Sequence, residues 1–122
     1  LAAEEAALLR AERPVGAILF ARNIESPPQL RALTAAIRDE LGAEAPILVD
    51  QEGGRVARLR PPHWPAFPPP ATFEGRPAAE ARDSARALGA ACVAEGLDVV
   101  CAPLLDLRVA GAHEVIGDRA FS

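Results

Sequence analysis

Two carboxylates, two glycines and two arginines fall within nine residues in Asp50-Gln51-Glu52-Gly53-Gly54-Arg55-Val56-Ala57-Arg58. Carboxylates accept hydrogen bonds, and guanidinium groups donate them in a planar fork, so Asp50, Arg55 and Arg58 suit a polar, oxygen-rich ligand. The Gly53-Gly54 pair supplies a sharp turn between them. An apolar run, Pro46-Ile47-Leu48-Val49, comes immediately before and reads as a short buried strand. A strand that stops on an Asp sets a carboxylate at the C-terminal edge of a sheet, where parallel α/β folds hold their ligands. The plain alternative is a glycine turn with a solvated ion pair, of little energetic weight.

The elements that must position this stretch follow from periodicity. Residues 2–12 read as a helix, with Glu4 and Glu5 at its start and Arg10 near its end, an order that complements the helix dipole. Pro14 ends it, and residues 15–20 read as a continuous apolar strand buried on both faces. Ser26 caps a second helix with Pro27 at its first position. Leu30, Leu33, Ile37 and Leu41 form its apolar stripe, and Gly42 stops it. After the strand at 46–49 and the Asp50 loop, prolines 61, 62, 65, 68, 69 and 70 exclude regular structure. This stiff loop is expected to wall a site, with Trp64 and Phe67 packing it down and His63 as an ordinary loop residue. Residues 77–95 form a third helix with Ala81, Ala85, Leu88, Cys92 and Val93 on one side, and residues 97–102 a third strand. The tail from Gly111 to Ser122 reads as loop.

The pattern is therefore α-β-α-β-α-β, with Asn23, Asp50 and Asp106 all just past strand ends and so on one face of a parallel sheet. It fits a doubly wound sheet or a (β/α)8 barrel, and completes neither, since a barrel takes about 250 residues. The chain opens inside a helix at Leu1 and closes without one over the last strand; the expectation is a fragment with uncovered edges.

Composition narrows the class. Half of the 122 residues are apolar but only 4% are aromatic, so Ala supplies much of the core and favours close helix–sheet packing. The net charge of −4, with no basic block, offers no nucleic-acid footprint. Cys92 and Cys101 are too few for a disulfide scaffold or metal knuckle and read as plain buried thiols. Acids occupy the place of a basic leader, and no run reaches the roughly 18 residues of a membrane span. The expectation is a soluble cytoplasmic protein.

Taken with Gly16-Ala17-Ile18-Leu19-Phe20-Ala21-Arg22-Asn23 and Ile116-Gly117-Asp118-Arg119-Ala120-Phe121-Ser122, the Asp50–Arg58 run strongly resembles glycoside hydrolase family 3, and most closely its bacterial β-N-acetylglucosaminidases of peptidoglycan recycling. The resemblance covers essentially all of residues 1–122. It implies about three strands of a TIM-like barrel, with the active site at the C-terminal face. It also implies that Asp50 binds hydroxyls of a non-reducing N-acetylglucosamine, with Arg58 and Arg119 in the same pocket. Glu52, Gly53, Gly54 and Arg55 would shape the loop, and Asp106 would support the site from behind or bond nearby backbone.

Retaining glycosidases use a nucleophile and an acid/base group on opposite sides of the scissile bond. In relatives the nucleophile is a late-strand Asp and the acid/base a loop His, both downstream of the Gly-Asp-Arg motif. No catalytic residue is therefore expected within this chain; His113 lies too early. The implied whole is a β-N-acetylhexosaminidase that releases terminal N-acetylglucosamine from muropeptides with retention and without a metal or other cofactor. Its partners would be an N-acetylglucosamine-containing saccharide and the missing C-terminal part of the barrel, with no nucleic acid and no membrane. Alternatives are a β-glucosidase-type member of the family and a non-catalytic sugar-binding or scaffold fragment. A Mg²⁺ hydrolase on Asp50, Glu52 and Asp106 is disfavoured, because no His stands at ligand spacing and the arginines repel a cation.

Overall fold

The computed structural model describes residues 1–111 and 113–121; Ala112 and Ser122, both in the predicted loop tail, lie outside the described residues. The elements run α1 (Ala3–Glu12), β1 (Ala17–Leu19), α2 (Pro27–Leu41), β2 (Ile47–Val49), α3 (Ala78–Ala94) and β3 (Val99–Val100). Short 3₁₀ turns occupy Ala21–Asn23, Pro70–Phe73 and Gly117–Arg119. The three strands form one parallel sheet in the order β1-β2-β3. Sequential order with helical crossovers is the expected βαβ pattern.

The helices begin and end on the predicted signals. Ser26 Oγ accepts from the Gln29 backbone N–H at 3.4 Å, capping α2, and the Gly42 N–H donates to Arg38 O at 2.8 Å where it stops. The buried face of α2 differs from the predicted stripe: Leu30, Thr34 and Ile37 are buried, while Leu33 and Leu41 are half-buried. Thr34 is tolerated inside because its hydroxyl donates within reach of Arg31 O (3.0 Å) and Glu95 O (3.1 Å), which ties α2 to the end of α3. In α3 the buried residues are Leu88 and Cys92; Val93, predicted on the same side, is exposed. Adjacent residues lie about 100° apart around a helix, so 92 and 93 cannot both face one sheet.

The strands are shorter than predicted, with pairing confined to Ala17–Leu19, Ile47–Val49 and Val99–Val100. Nor is β1 buried on both faces. Leu19, Ile47 and Val49 face the helices and are buried, whereas Ile18 on the other face is 44% exposed and Val99 is 40% exposed. Strand side chains alternate, so α2 and α3 cover only every second residue. The main apolar core lies on the helix side, where Leu30, Ile37, Leu59, Trp64 and Leu97 join the strands in one cluster.

Two polar locks hold this layer. Asp98 Oδ2 accepts from the Ile47 N–H (2.8 Å) and from Arg38 Nη2 (2.7 Å), fixing where β2 and β3 begin. Glu95, buried at the end of α3, accepts from Trp64 Nε1 at 3.0 Å and from Arg31 Nη1 at 2.9 Å. That bond anchors the proline-rich loop: Trp64 is buried and Phe67 half-buried, as predicted, while His63 stays exposed with its ring edge on Trp64.

Candidate functional site

Parity places the site. Leu19, Val49 and Val100 pair in register and face the helices, so the next residue of each strand points to the opposite face. Those residues are Phe20, Asp50 and Cys101, side by side at the C-terminal edge. The Cys101 N–H donates to Val49 O at 2.9 Å, which carries the ladder to this row. Cys101 is therefore not the plain buried thiol expected. It is half-buried, and its pKa is raised above 9.0 first by burial, then by the neighbouring Asp50 carboxylate, and then by the charge of Glu52. Cys92, in the core, matches the expectation: burial alone pushes its pKa from 9.0 to about 11.

The loop after Asp50 closes on a residue the sequence reading passed over. Gln51 points back into the core side, 1% exposed. Its Oε1 accepts from the Arg58 N–H (2.7 Å) and the Leu59 N–H (3.0 Å), and its Nε2 donates to Leu59 O (3.1 Å). A buried side-chain amide that satisfies three backbone groups folds residues 51–59 into a fixed ring. The only sequence signal for it was parity: one residue past the carboxylate faces inward. Two glycines make the turn that follows. Gly53 has φ +96°, and a Cβ there would lie 2.2 Å from Pro68 O; Gly54 has φ +57° and donates its N–H to Phe67 O at 2.8 Å. The proline-rich loop thus backs the carboxylate loop directly.

This ring brings Arg58 onto Asp50, with Nη2 to Oδ2 at 2.8 Å and both side chains about three-quarters buried. Asp50 Oδ1 has no hydrogen-bond partner among the described residues. Arg58 Nε is buried and likewise unpartnered among them.

The third predicted contact, Arg119, arrives from the far end of the chain. Its Nε and Nη2 donate to Glu52 Oε2 and Oε1, both at 2.8 Å. The Arg119 guanidinium is held above its ordinary pKa chiefly by those bonds, with further contributions from the charges of Glu52, Asp106 and Asp50. Glu52 therefore does more than shape a loop: it docks residues 117–121 against the Asp50 loop.

Arg55, whose chemistry suits a ligand and which the family resemblance assigns to shaping the loop, is spent on the same docking. Its Nε donates to Asp118 Oδ1 (2.8 Å) and its Nη2 to the carbonyls of Val115 (2.7 Å) and Ile116 (3.1 Å). Asp106 is exposed and makes no hydrogen bond to backbone among the described residues, although its charge reaches Arg119. Asn23 is used locally, its Oδ1 accepting from the Phe20 N–H at 3.0 Å. His113 is likewise local, with Nδ1 accepting from the Val115 N–H at 2.9 Å.

The edge thus gathers Asp50, Arg58, Glu52, Arg119, Phe20 and Cys101. It offers one open carboxylate oxygen beside guanidinium donors, which is a set for binding hydroxyl groups. Asp50 and Glu52 are each engaged by an arginine, and no group of His, Cys, Asp and Glu that could hold a metal ion occurs among the described residues. An apolar cavity of about 320 Å³ lies elsewhere, between α3, Phe73, Leu104 and Phe121; it touches Gln51 and Glu52 but not Asp50. No described helix is long and apolar enough to cross a membrane.

Comparison with known proteins points the same way. The family model described as the glycosyl hydrolase family 3 N-terminal domain matches residues 1–122. The chain is 44% identical over 128 residues to a β-hexosaminidase of Alkalilimnicola ehrlichii, covering 99% of this chain and 36% of that protein. It is 42% identical over 126 residues to a β-hexosaminidase of Pseudomonas aeruginosa, with 99% and 36% covered. Among solved structures, NagZ from Neisseria gonorrhoeae in complex with N-trifluoroacetyl-D-glucosamine superposes with TM-score 0.88 at 34% identity, over 99% of this chain and 38% of that one. A glycoside hydrolase family 3 β-N-acetylglucosaminidase from Paenibacillus sp. str. FPU-7 superposes with TM-score 0.85 at 29% identity, over 98% and 24%. The chain spans a little over a third of the length of the curated relatives it matches.

Proposed function

The chain belongs to glycosyl hydrolase family 3, as an N-terminal domain segment, and on that premise we propose that the polypeptide carrying it is a retaining β-N-acetylhexosaminidase. Its substrates are saccharides ending in non-reducing N-acetylglucosamine, with cytoplasmic muropeptides of peptidoglycan recycling as the natural source. Residues 1–122 contribute the sugar-binding part of a (β/α)8 barrel domain. The observation that carries the reading is Asp50: a carboxylate at the C-terminal end of the central strand, with one oxygen bound to Arg58 and the other open.

In this reading Asp50 accepts hydrogen bonds from two sugar hydroxyls, and Arg58 keeps it aimed. Arg119 donates from the other side of the pocket. The glucosamine derivative named with the gonococcal NagZ supports the substrate class. Nucleophile and acid/base are assigned to no residue of 1–122, so the chain by itself binds without turning over. Asp106 stays within electrostatic reach of Arg119 and supports the pocket from behind.

The test is hydrolysis of 4-nitrophenyl N-acetyl-β-glucosaminide by the polypeptide that carries this chain. Two charge-assisted hydrogen bonds, at about 1.5–3 kcal/mol each, set the expectation for Asp50→Ala at roughly 10²–10⁴-fold loss of kcat/KM. A wild-type protein that prefers the plain β-glucoside overturns the N-acetyl reading. Turnover by residues 1–122 alone overturns the assignment of the catalytic groups.

A further inference from the structure

We propose that Glu52 is a positioning residue for the sugar: it holds one edge of the Arg119 guanidinium so that Nη1 is presented to the substrate beside Asp50. The inference rests on the reading of this edge as a sugar-binding site, and it assigns Glu52 a role beyond the turn it sits in.

The pair is built as a fork on a fork. Both Glu52 oxygens are used, at 2.8 Å each, and they take Nε and Nη2. Nη1 is left without a partner among the described residues. The carboxylate is nearly sealed, its side chain 6% exposed, while Arg119 is 22% exposed. Such an arrangement places the anion behind and the cation forward, and bidentate geometry removes the rotation a single bond would leave.

Both partners stand on fixed backbone. The Glu52 N–H donates to Val56 O at 2.9 Å, and the next residue is pressed against Pro68. Arg119 sits in a 3₁₀ turn whose following residue, Ala120, is fully buried. A desolvated ion pair is poor as a plain tie between segments, because burial costs offset much of its attraction. The tie already exists in any case: Arg55, three residues beyond Glu52, holds the same segment by Asp118 and the carbonyls of Val115 and Ile116.

What Glu52 adds is direction. Arg119 feels two other carboxylates, Asp106 and Asp50. A guanidinium released from Glu52 would be drawn to Asp50, whose Oδ1 is open, and would cover the acceptor that a hydroxyl needs. Glu52 keeps Arg119 off Asp50 and so keeps both available to one ligand.

The experiment is steady-state kinetics on 4-nitrophenyl N-acetyl-β-glucosaminide with the polypeptide that carries residues 1–122, comparing wild type, Glu52→Gln, Glu52→Asp, Arg119→Ala and Glu52→Gln/Arg119→Ala. Glu52→Gln is expected to raise KM at least 10-fold with a smaller change in kcat, and Glu52→Asp, which keeps the charge, to recover part of that loss. In the Arg119→Ala background Glu52→Gln should change KM less than 2-fold, because its effect passes through that side chain. Thermal midpoints of all variants are recorded; if Glu52→Gln does not fold, Glu52→Asp carries the comparison. An unchanged KM in Glu52→Gln, or an equal KM penalty with Arg119 absent, overturns the inference and leaves the sugar reading intact. No turnover by wild type overturns the sugar reading, and the inference with it.

Discussion

The two faces of the sheet carry the same strands and behave differently. On the helix side, Leu19, Ile47 and Val49 are sealed beneath α2 and α3, and each buried polar group there has its partner: Thr34 on Glu95 O, Glu95 on Trp64 and Arg31, Gln51 on three backbone groups of its own loop. On the other face Ile18 and Val99 are open, and the row beyond them holds a carboxylate and a thiol. The difference shows a division of labour at the level of single residues. Odd positions of β2 build the core, and the next even position, Asp50, stands on the face that α2 and α3 do not cover.

Stability variants should sharpen that contrast. The largest effect is expected from Leu30→Ala, which empties a fully buried site: about 3–5 kcal/mol by denaturant unfolding. A loss below about 1 kcal/mol would mean that the helix side is not the stabilising one.

Alkaline pH tests the same face by a different route. The Cys92 thiol is raised from 9.0 to about 11, so the unfolded chain releases its proton first. The neutral thiol's contribution is whole below pH 9 and is lost as pH climbs towards 11, amounting to about 2–3 kcal/mol at the 1.4 kcal/mol of each pKa unit. Thermal melts from pH 8 to 11 should show that slope in wild type and lose it in Cys92→Ala. A slope that persists in the variant places its origin elsewhere.

Glu95→Gln comes next. It removes the charge that Arg31 meets and gives the Trp64 Nε1–H donor a weaker, neutral acceptor, for about 1–2 kcal/mol. Trp64 is the only tryptophan of the chain, so a red shift of its emission reads the loosening of the proline-rich loop directly. The smallest effect belongs to the open face: Val99→Thr is expected to stay within about 0.5 kcal/mol in residues 1–122. A cost near that of Leu30→Ala would erase the contrast between the faces.

Much of this was legible in the residues. The caps at Ser26 and Gly42, the stiff loop from 60 to 70 and the carboxylate at the end of the 46–49 strand are local events, dictated by backbone geometry and short-range hydrogen bonds, and they stand where they were predicted. Local pattern is silent where a neighbour decides. Val93 turns outward although apolar, because apolar character says nothing of which helix face meets a sheet. The apolar run Val15–Phe20 carries no information on whether both faces have cover, and one face lies open at Ile18.

At the site, the sequence by itself determined that Asp50 would stand at a strand end on a glycine turn, since an apolar run followed by Asp and Gly-Gly has few other conformations. It also carried the family motifs, and with them the expectation of Asp50, Arg58 and Arg119 in one pocket. Which groups actually meet was decided by tertiary structure. Glu52 and Arg119 lie 67 positions apart and Arg55 and Asp118 lie 63 apart, so no local rule pairs them. Strand register brought Cys101 to Asp50, and the ring closed by Gln51 turned Arg58 inward and Arg55 outward. The physical reason is range: propensity, capping and turn chemistry act over a few residues, whereas a charged side chain takes the partner that folding delivers within about 3 Å of it.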